Sequence, residues 1–208
     1  MKLLSTLLAL MLLAGTVQAA EPFTYAPEHC DFQVSFPEKP HTSRLCEADN
    51  KDRCYDLVSF TRTYEVAATV NVRVICNPVA EGVKDRYTEE VAKAAVKAMA
   101  EKNNLTEYRT SFRSEAAVNQ AGLVGEGLVG NDPKIYIAQL WVGEKSVMSV
   151  EAEIIGQAFE DADKLFAETL KSVKLKSGIG NQGSEEKEKR DSEKPKAAES
   201  ETEKTSDP

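Results

Sequence analysis

Histidine is nearly absent from this chain: two in 208 residues, His29 and His41, each in a proline-bearing stretch. A Ser–His or Cys–His site needs one of them beside a nucleophile, and no G-x-S-x-G or H-E-x-x-H frame surrounds a candidate. A CxxC knuckle, which would suit thiolate zinc, is also missing. The apolar run at residues 3–13 is shorter than a membrane span. There is no excess of positive charge. The formal net charge is −8, which argues against nucleic acid and anionic membrane surfaces as partners. The expectation is a non-enzymatic chain with no metal and no cofactor.

What is present points to export. Lys2, the apolar run and Val17-Gln18-Ala19 read as a cleaved signal peptide over residues 1–20. Leu13-Ala14-Gly15-Thr16 resembles a lipoprotein processing site but has Thr where the acylated Cys must stand. A soluble periplasmic or secreted protein is expected, with no membrane span after cleavage. Cys30, Cys46, Cys54 and Cys76 are separated by 15, 7 and 21 residues, and an even count in an exported chain favours two disulfides over zinc. Residues 177–208 carry mixed charge, no aromatic residue and one Ile, the composition of a disordered tail. Residues 21–176 then form one domain.

Within it, residues 135–155 (IYIAQLWVGEKSVMSVEAEII) read as a hairpin. A two-residue Gly143-Glu144 turn would set Leu140 opposite Val147, Gln139 opposite Met148 and Ile137 opposite Val150. One face then carries Ile135, Ile137, Trp141, Met148, Val150 and Ala152; the other carries Leu140, Val142 and Val147 and turns polar at Glu151. Further strands are expected at residues 30–36, 42–46, 55–64, 68–76, 105–114 and 121–129 from their alternation. If the first four form an antiparallel meander, all four cysteines meet at one end. Cys46–Cys54 with Cys30–Cys76, or Cys30–Cys46 with Cys54–Cys76, are then reasonable; the short loop between Cys46 and Cys54 favours the first. Helices are expected over residues 85–103, with Asp85 as cap, and 158–172. The first would bury Tyr87, Val91, Ala94, Ala95, Ala98 and Met99; the second Phe159, Ala162, Leu165, Phe166, Thr169, Leu170 and Val173. The fold class expected is α+β, an antiparallel sheet sandwiched by two helices.

Several motifs have two readings. Gly125-Glu126-Gly127-Leu128-Val129-Gly130 matches GxGxxG, but a turn and a strand follow where a nucleotide site needs a helix, so close packing is the better reading. Glu151 and Glu153 could pair for glycoside chemistry, though a solvated strand face explains them. Trp141 and Gln139 read as core and core edge. Arg73, Arg109 and Arg113 lie on the polar sides of strands and would form a small anion patch if those strands were neighbours.

The strand Phe32-Gln33-Val34-Ser35-Phe36-Pro37-Glu38-Lys39-Pro40, the hairpin at Leu140-Trp141-Val142-Gly143 and the ending Phe166-Ala167-Glu168-Thr169-Leu170-Lys171-Ser172-Val173 resemble the PsbP-like superfamily. The resemblance covers most of residues 30–175. It implies an α/β/α sandwich and a binding or stabilising role without catalysis, and it carries over no functional residue. The four cysteines depart from the plant photosystem subunit and speak against a photosynthetic role. The partner expected is an envelope protein or a small ligand. Two alternatives stand beside this: a hydrolase using a loop histidine or carboxylate, and a structural envelope protein whose tail is a spacer.

Overall fold

The computed structural model describes residues 21–47 and 50–177. The expected signal peptide and, Ser177 apart, the expected tail lie outside the described residues. The strands are β1 (Phe23–Tyr25), β2 (Phe32–Phe36), β3 (His41–Glu47), β4 (Asn50–Tyr64), β5 (Ala68–Pro78), β6 (Leu105–Glu115), β7 (Val118–Val129), β8 (Asp132–Val142), β9 (Ser146–Gly156) and β10 (Lys174–Leu175). The helices are α1 (Val83–Arg86), α2 (Glu89–Ala100), followed by a 3-10 turn Glu101–Asn103, and α3 (Glu160–Lys171).

This architecture overturns the expected helix sandwich. Strands dominate, and they form two sheets: a seven-stranded antiparallel sheet in the order β3-β4-β5-β9-β8-β7-β6, and a three-stranded sheet β1-β2-β10. The strand at Phe32–Phe36, expected to open the meander, sits in the small sheet instead. Its alternation shows that one side is buried but not against what. Phe32, Val34 and Phe36 join α3 residues Ala162, Leu165, Phe166 and Leu170 over Val70, Val72, Val74, Val150 and Ala152 of the large sheet. A second core lies on the other face, where Ala92, Val96 and Ala100 of α2 cover Ala121, Leu123, Tyr136, Ala138 and Leu140.

The disulfides are Cys30–Cys76 and Cys46–Cys54. Cys46 and Cys54 are cross-strand partners in β3 and β4. Cys30–Cys76 ties a residue two positions before β2 to β5 and therefore joins the two sheets.

The hairpin keeps the expected faces in a different register. Val142 pairs with Val147, Trp141 with Met148, Gln139 with Val150 and Ile137 with Ala152. Gly143 N–H donates to Ser146 O at 2.9 Å, so Glu144-Lys145 is the loop. Each expected partner is displaced by two residues. A shift of two preserves side-chain alternation, which is why both faces were read correctly.

The α2 stripe differs more. Thr88, not Asp85, caps the helix, accepting from Val91 N–H at 3.4 Å. Ala92, Val96 and Ala100 are buried, whereas Val91, Ala94 and Ala98 are exposed. In α3 the buried residues Ala162, Leu165, Phe166, Thr169 and Leu170 are those expected.

Candidate functional site

Each cover protects half of the large sheet. The small sheet and α3 lie over β4, β5 and β9, and Phe32 meets Trp141 of β8 at 5.9 Å between ring centroids. Beyond Trp141 that face continues across β8, β7 and β6 with nothing over it among the described residues. The registers give its rows: Ile135–Glu126–Glu107, Ile137–Val124–Arg109, Gln139–Gly122–Ser111 and Trp141–Gln120–Arg113. Val124, Ile135 and Leu128 are 38%, 43% and 57% exposed. Val124 and Ile137, with Gln120, Gln139, Ser111 and Arg109, line a shallow depression of about 240 Å³ with Gly122 in its floor, and Ile135 and Leu128 lie beyond it beside Glu126. Gly122 is where the floor drops, since a Cβ there would stand 2.9 Å from Ser111 Oγ. A second depression of about 270 Å³ adjoins it at Arg109, beside Glu107, Tyr108 and Glu126.

The three arginines are not brought together. Arg73 is on β5 and Arg109 and Arg113 are on β6, four strand steps away, about 19 Å at the usual strand spacing. They also differ in face. Arg73 aligns through Glu151, Ala138 and Leu123 with Thr110, so Arg109 points the other way. Arg113 donates to Gln120 Oε1 at 2.7 Å and pairs with Glu115 at 3.2 Å. The expected anion patch therefore reduces to Arg109 and Arg113 along the edge of the open face.

On the opposite face, Tyr136 donates to Glu151 Oε2 at 2.7 Å, and Arg73 lies 3.9 Å from the same carboxylate. Asn71 Nδ2 donates to Glu153 Oε1 at 3.1 Å and its Oδ1 accepts from Thr61 at 2.8 Å. Burial first, then the Glu151 hydrogen bond and charge, push the Tyr136 hydroxyl well above its ordinary 10.0. Glu151 and Glu153 are thus held in a side-chain network rather than poised across an open cleft. His29 bonds the Cys76 carbonyl oxygen at 3.1 Å, and His41 is exposed at the start of β3. Neither histidine has a Ser, Asp or Glu hydrogen-bond partner among the described residues. No cluster of His, Cys, Asp and Glu among them could hold a metal ion. A further cavity of about 340 Å³ lies between β2, the end of β4 and α3, rimmed by the mixed charges Arg62, Asp161, Lys164 and Glu168.

One buried acid escaped the sequence reading. Asp31 is 3% exposed, and its Oδ2 accepts from Lys145 N–H at 2.8 Å and Ser146 N–H at 3.0 Å. Its own N–H donates to Ser146 Oγ at 2.7 Å. A Cβ on Gly143 would fall 2.3 Å from Asp31 Oδ2, so the carboxylate accounts for the glycine. GxGxxG has a similar cause. A Cβ on Gly125 would meet Leu105 Cδ1 at 2.6 Å, and one on Gly127 would meet Asn104 O at 2.9 Å.

No protein-family model matches the chain, and no curated protein matches it in sequence. Among solved structures it is similar to LpqN of Mycobacterium tuberculosis, described as involved in cell envelope biogenesis. That similarity has a TM-score of 0.39 and 12% identity, over 73% of this chain and 80% of that one. The PsbP-like resemblance rests on its sequence motifs alone. Two closed disulfides suit an oxidising compartment, periplasmic or extracellular. No described helix is long and apolar enough to cross a membrane.

Proposed function

We propose that the chain is a non-enzymatic binding domain of the periplasm that docks another envelope protein on the uncovered half of its large sheet. The observation that carries this reading is the set of exposed apolar side chains Val124, Ile135 and Leu128 around Glu126, next to the depression lined by Gln120, Gln139, Ser111 and Arg109. Exposed apolar side chains interleaved with polar and charged ones are what a protein interface offers. The face is broad and shallow, whereas small-ligand sites enclose most of their ligand, so a protein surface fits better than a small molecule.

The test is capture from a periplasmic extract on immobilised protein, with the same bands scored on three baits. A partner should bind wild type and Arg73→Glu, which alters the opposite face, and be lost on the double variant Val124→Glu/Ile135→Glu. Equal retention by all three baits, or no specific band on wild type, rejects this face as the docking site.

A further inference from the structure

The order of the large sheet ends at β6, an 11-residue strand whose outer backbone edge has no neighbour among the described residues. Protected edges are short, charged, bulged or covered, because a long bare edge recruits another strand; the charges on β6, Glu107, Arg109, Arg113 and Glu115, are of both signs and can pair as well as repel. The β6 irregularity lies at its start, between Leu105 and Glu107, and leaves Glu107–Glu115 as a regular ladder against β7. Tyr108 on this strand is 52% exposed.

We propose that β6 is the seam of a twofold dimer, in which two copies of this chain pair β6 with β6 antiparallel about Thr110. The sequence of the strand selects that register. Centred on Thr110, Glu107 faces the partner's Arg113, and Arg113 faces the partner's Glu107. On the α2 face, Tyr108 lies opposite the partner's Phe112, and the reverse. Opposite charges and aromatic pairs are the cross-strand combinations that stabilise a sheet. The neighbouring registers are penalised: centring on Arg109 sets that residue against the partner's Arg109, and centring on Ser111 sets Arg109 against the partner's Arg113. Arg113 is available for the exchange, since its present bonds to Gln120 and Glu115 are at the surface. Such an interface is isologous and closes on itself, so it ends at two copies.

The dimer joins seven strands from each copy into one sheet and puts both uncovered faces on the same side. The floor then runs β8-β7-β6 into the partner's three equivalent strands, with the α3 covers at its two ends. This inference does not depend on the docking function proposed above.

Sedimentation equilibrium of the mature chain tests it, with the melting temperature of each variant recorded as a check on folding. Wild type should be a reversible dimer. Glu107→Arg and Arg113→Glu, both at exposed positions, should each weaken association by about tenfold or more, because two like-charge pairs replace two ion pairs. An equimolar mixture of the two variants restores both ion pairs and should form a heterodimer close to wild-type affinity, as should the double variant with itself. Wild type that stays monomeric overturns the proposal. So does a dimer indifferent to the single substitutions, a mixture that gains nothing, or a monomer that takes an unrelated extended peptide at β6.

Discussion

At the scale of single residues, the tightest constraint lies where Asp31 clamps the β8–β9 turn. A buried carboxylate accepting two backbone N–H groups leaves both donors unsatisfied when removed. Asp31→Ala should therefore destabilise the fold by about 2–3 kcal/mol in urea unfolding. Gly143→Ala should lose about 1–3 kcal/mol, because the new methyl collides with a carboxylate that is itself held in place. The two losses should not add, since the collision vanishes with Asp31; additive losses in the double variant would refute the clamp. A second strained point is Val66, 99% exposed at φ 66° beside Glu65 at φ 46°. A β-branched residue is disfavoured there, and the turn prefers Asn-Gly. Replacing Glu65-Val66 with Asn-Gly should raise stability by about 1–2 kcal/mol, read as a higher urea midpoint. Neither feature is visible in sequence: Asp31 is an acid beside a cysteine, and nothing local says its oxygens meet residues 145 and 146.

At the scale of elements, legibility followed how unequal the residues of each element are. The longer strands were found because bulky and polar residues alternate, whereas three-residue β1 was too short to show it; the hairpin faces survived a register displaced by two because parity is all that alternation encodes. α3 was read correctly from its few large apolar residues on an otherwise charged helix. α2 was read with its inward face rotated: Tyr87, Ala95 and Met99 do pack on the core, but Val91, Ala94 and Ala98 stand in for the buried Ala92, Val96 and Ala100. Alanines at 92, 94, 95, 98 and 100 surround it and leave the rotation to Val96 and its neighbours. The contact between α2 and β8 also gives the fold a predictable alkaline response. Tyr136 has its proton held in the folded state, by burial and by Glu151, above the 10.0 of an ordinary tyrosine. Its contribution is present below that value and is lost as pH rises past it, because the unfolded chain then ionises first. Tyr136→Phe should lose about 1 kcal/mol at neutral pH, and its melting temperature should fall less steeply than wild type between pH 9 and 11. Half-buried Tyr25 is raised in the same direction, so some alkaline loss remains in the variant. Parallel melting curves for the two proteins would remove Tyr136 as the cause.

For the molecule as a whole, the sequence pointed to an exported, cysteine-paired α+β domain with one sheet between two helices, and not to strands that divide into two sheets. Phe32-Gln33-Val34-Ser35-Phe36 alternates as an edge strand or a stacked strand would, and only long-range contacts choose between them. That choice changes what the disulfides do. Cys46–Cys54 closes a separation of 8 residues within one hairpin, while Cys30–Cys76 closes 46 and joins the small sheet to the large one. Loop-closure entropy alone assigns about 2.5 kcal/mol to the short bridge and about 4 kcal/mol to the long one. Cys30→Ala/Cys76→Ala should therefore lose more stability than Cys46→Ala/Cys54→Ala. It should also loosen the structure unevenly, because β2, paired only within the small sheet to β1 and β10, would then meet the large sheet through apolar packing and the Asp31 clamp rather than through a covalent bridge. Hydrogen exchange should show amides of the small sheet, Gln33 and Ser35 among them, losing protection before those of β5, β9 and β8. Equal losses from the two bridge variants, or uniform exchange across both sheets, would mean that the molecule opens as one unit and that the long bridge is not what holds its layers together.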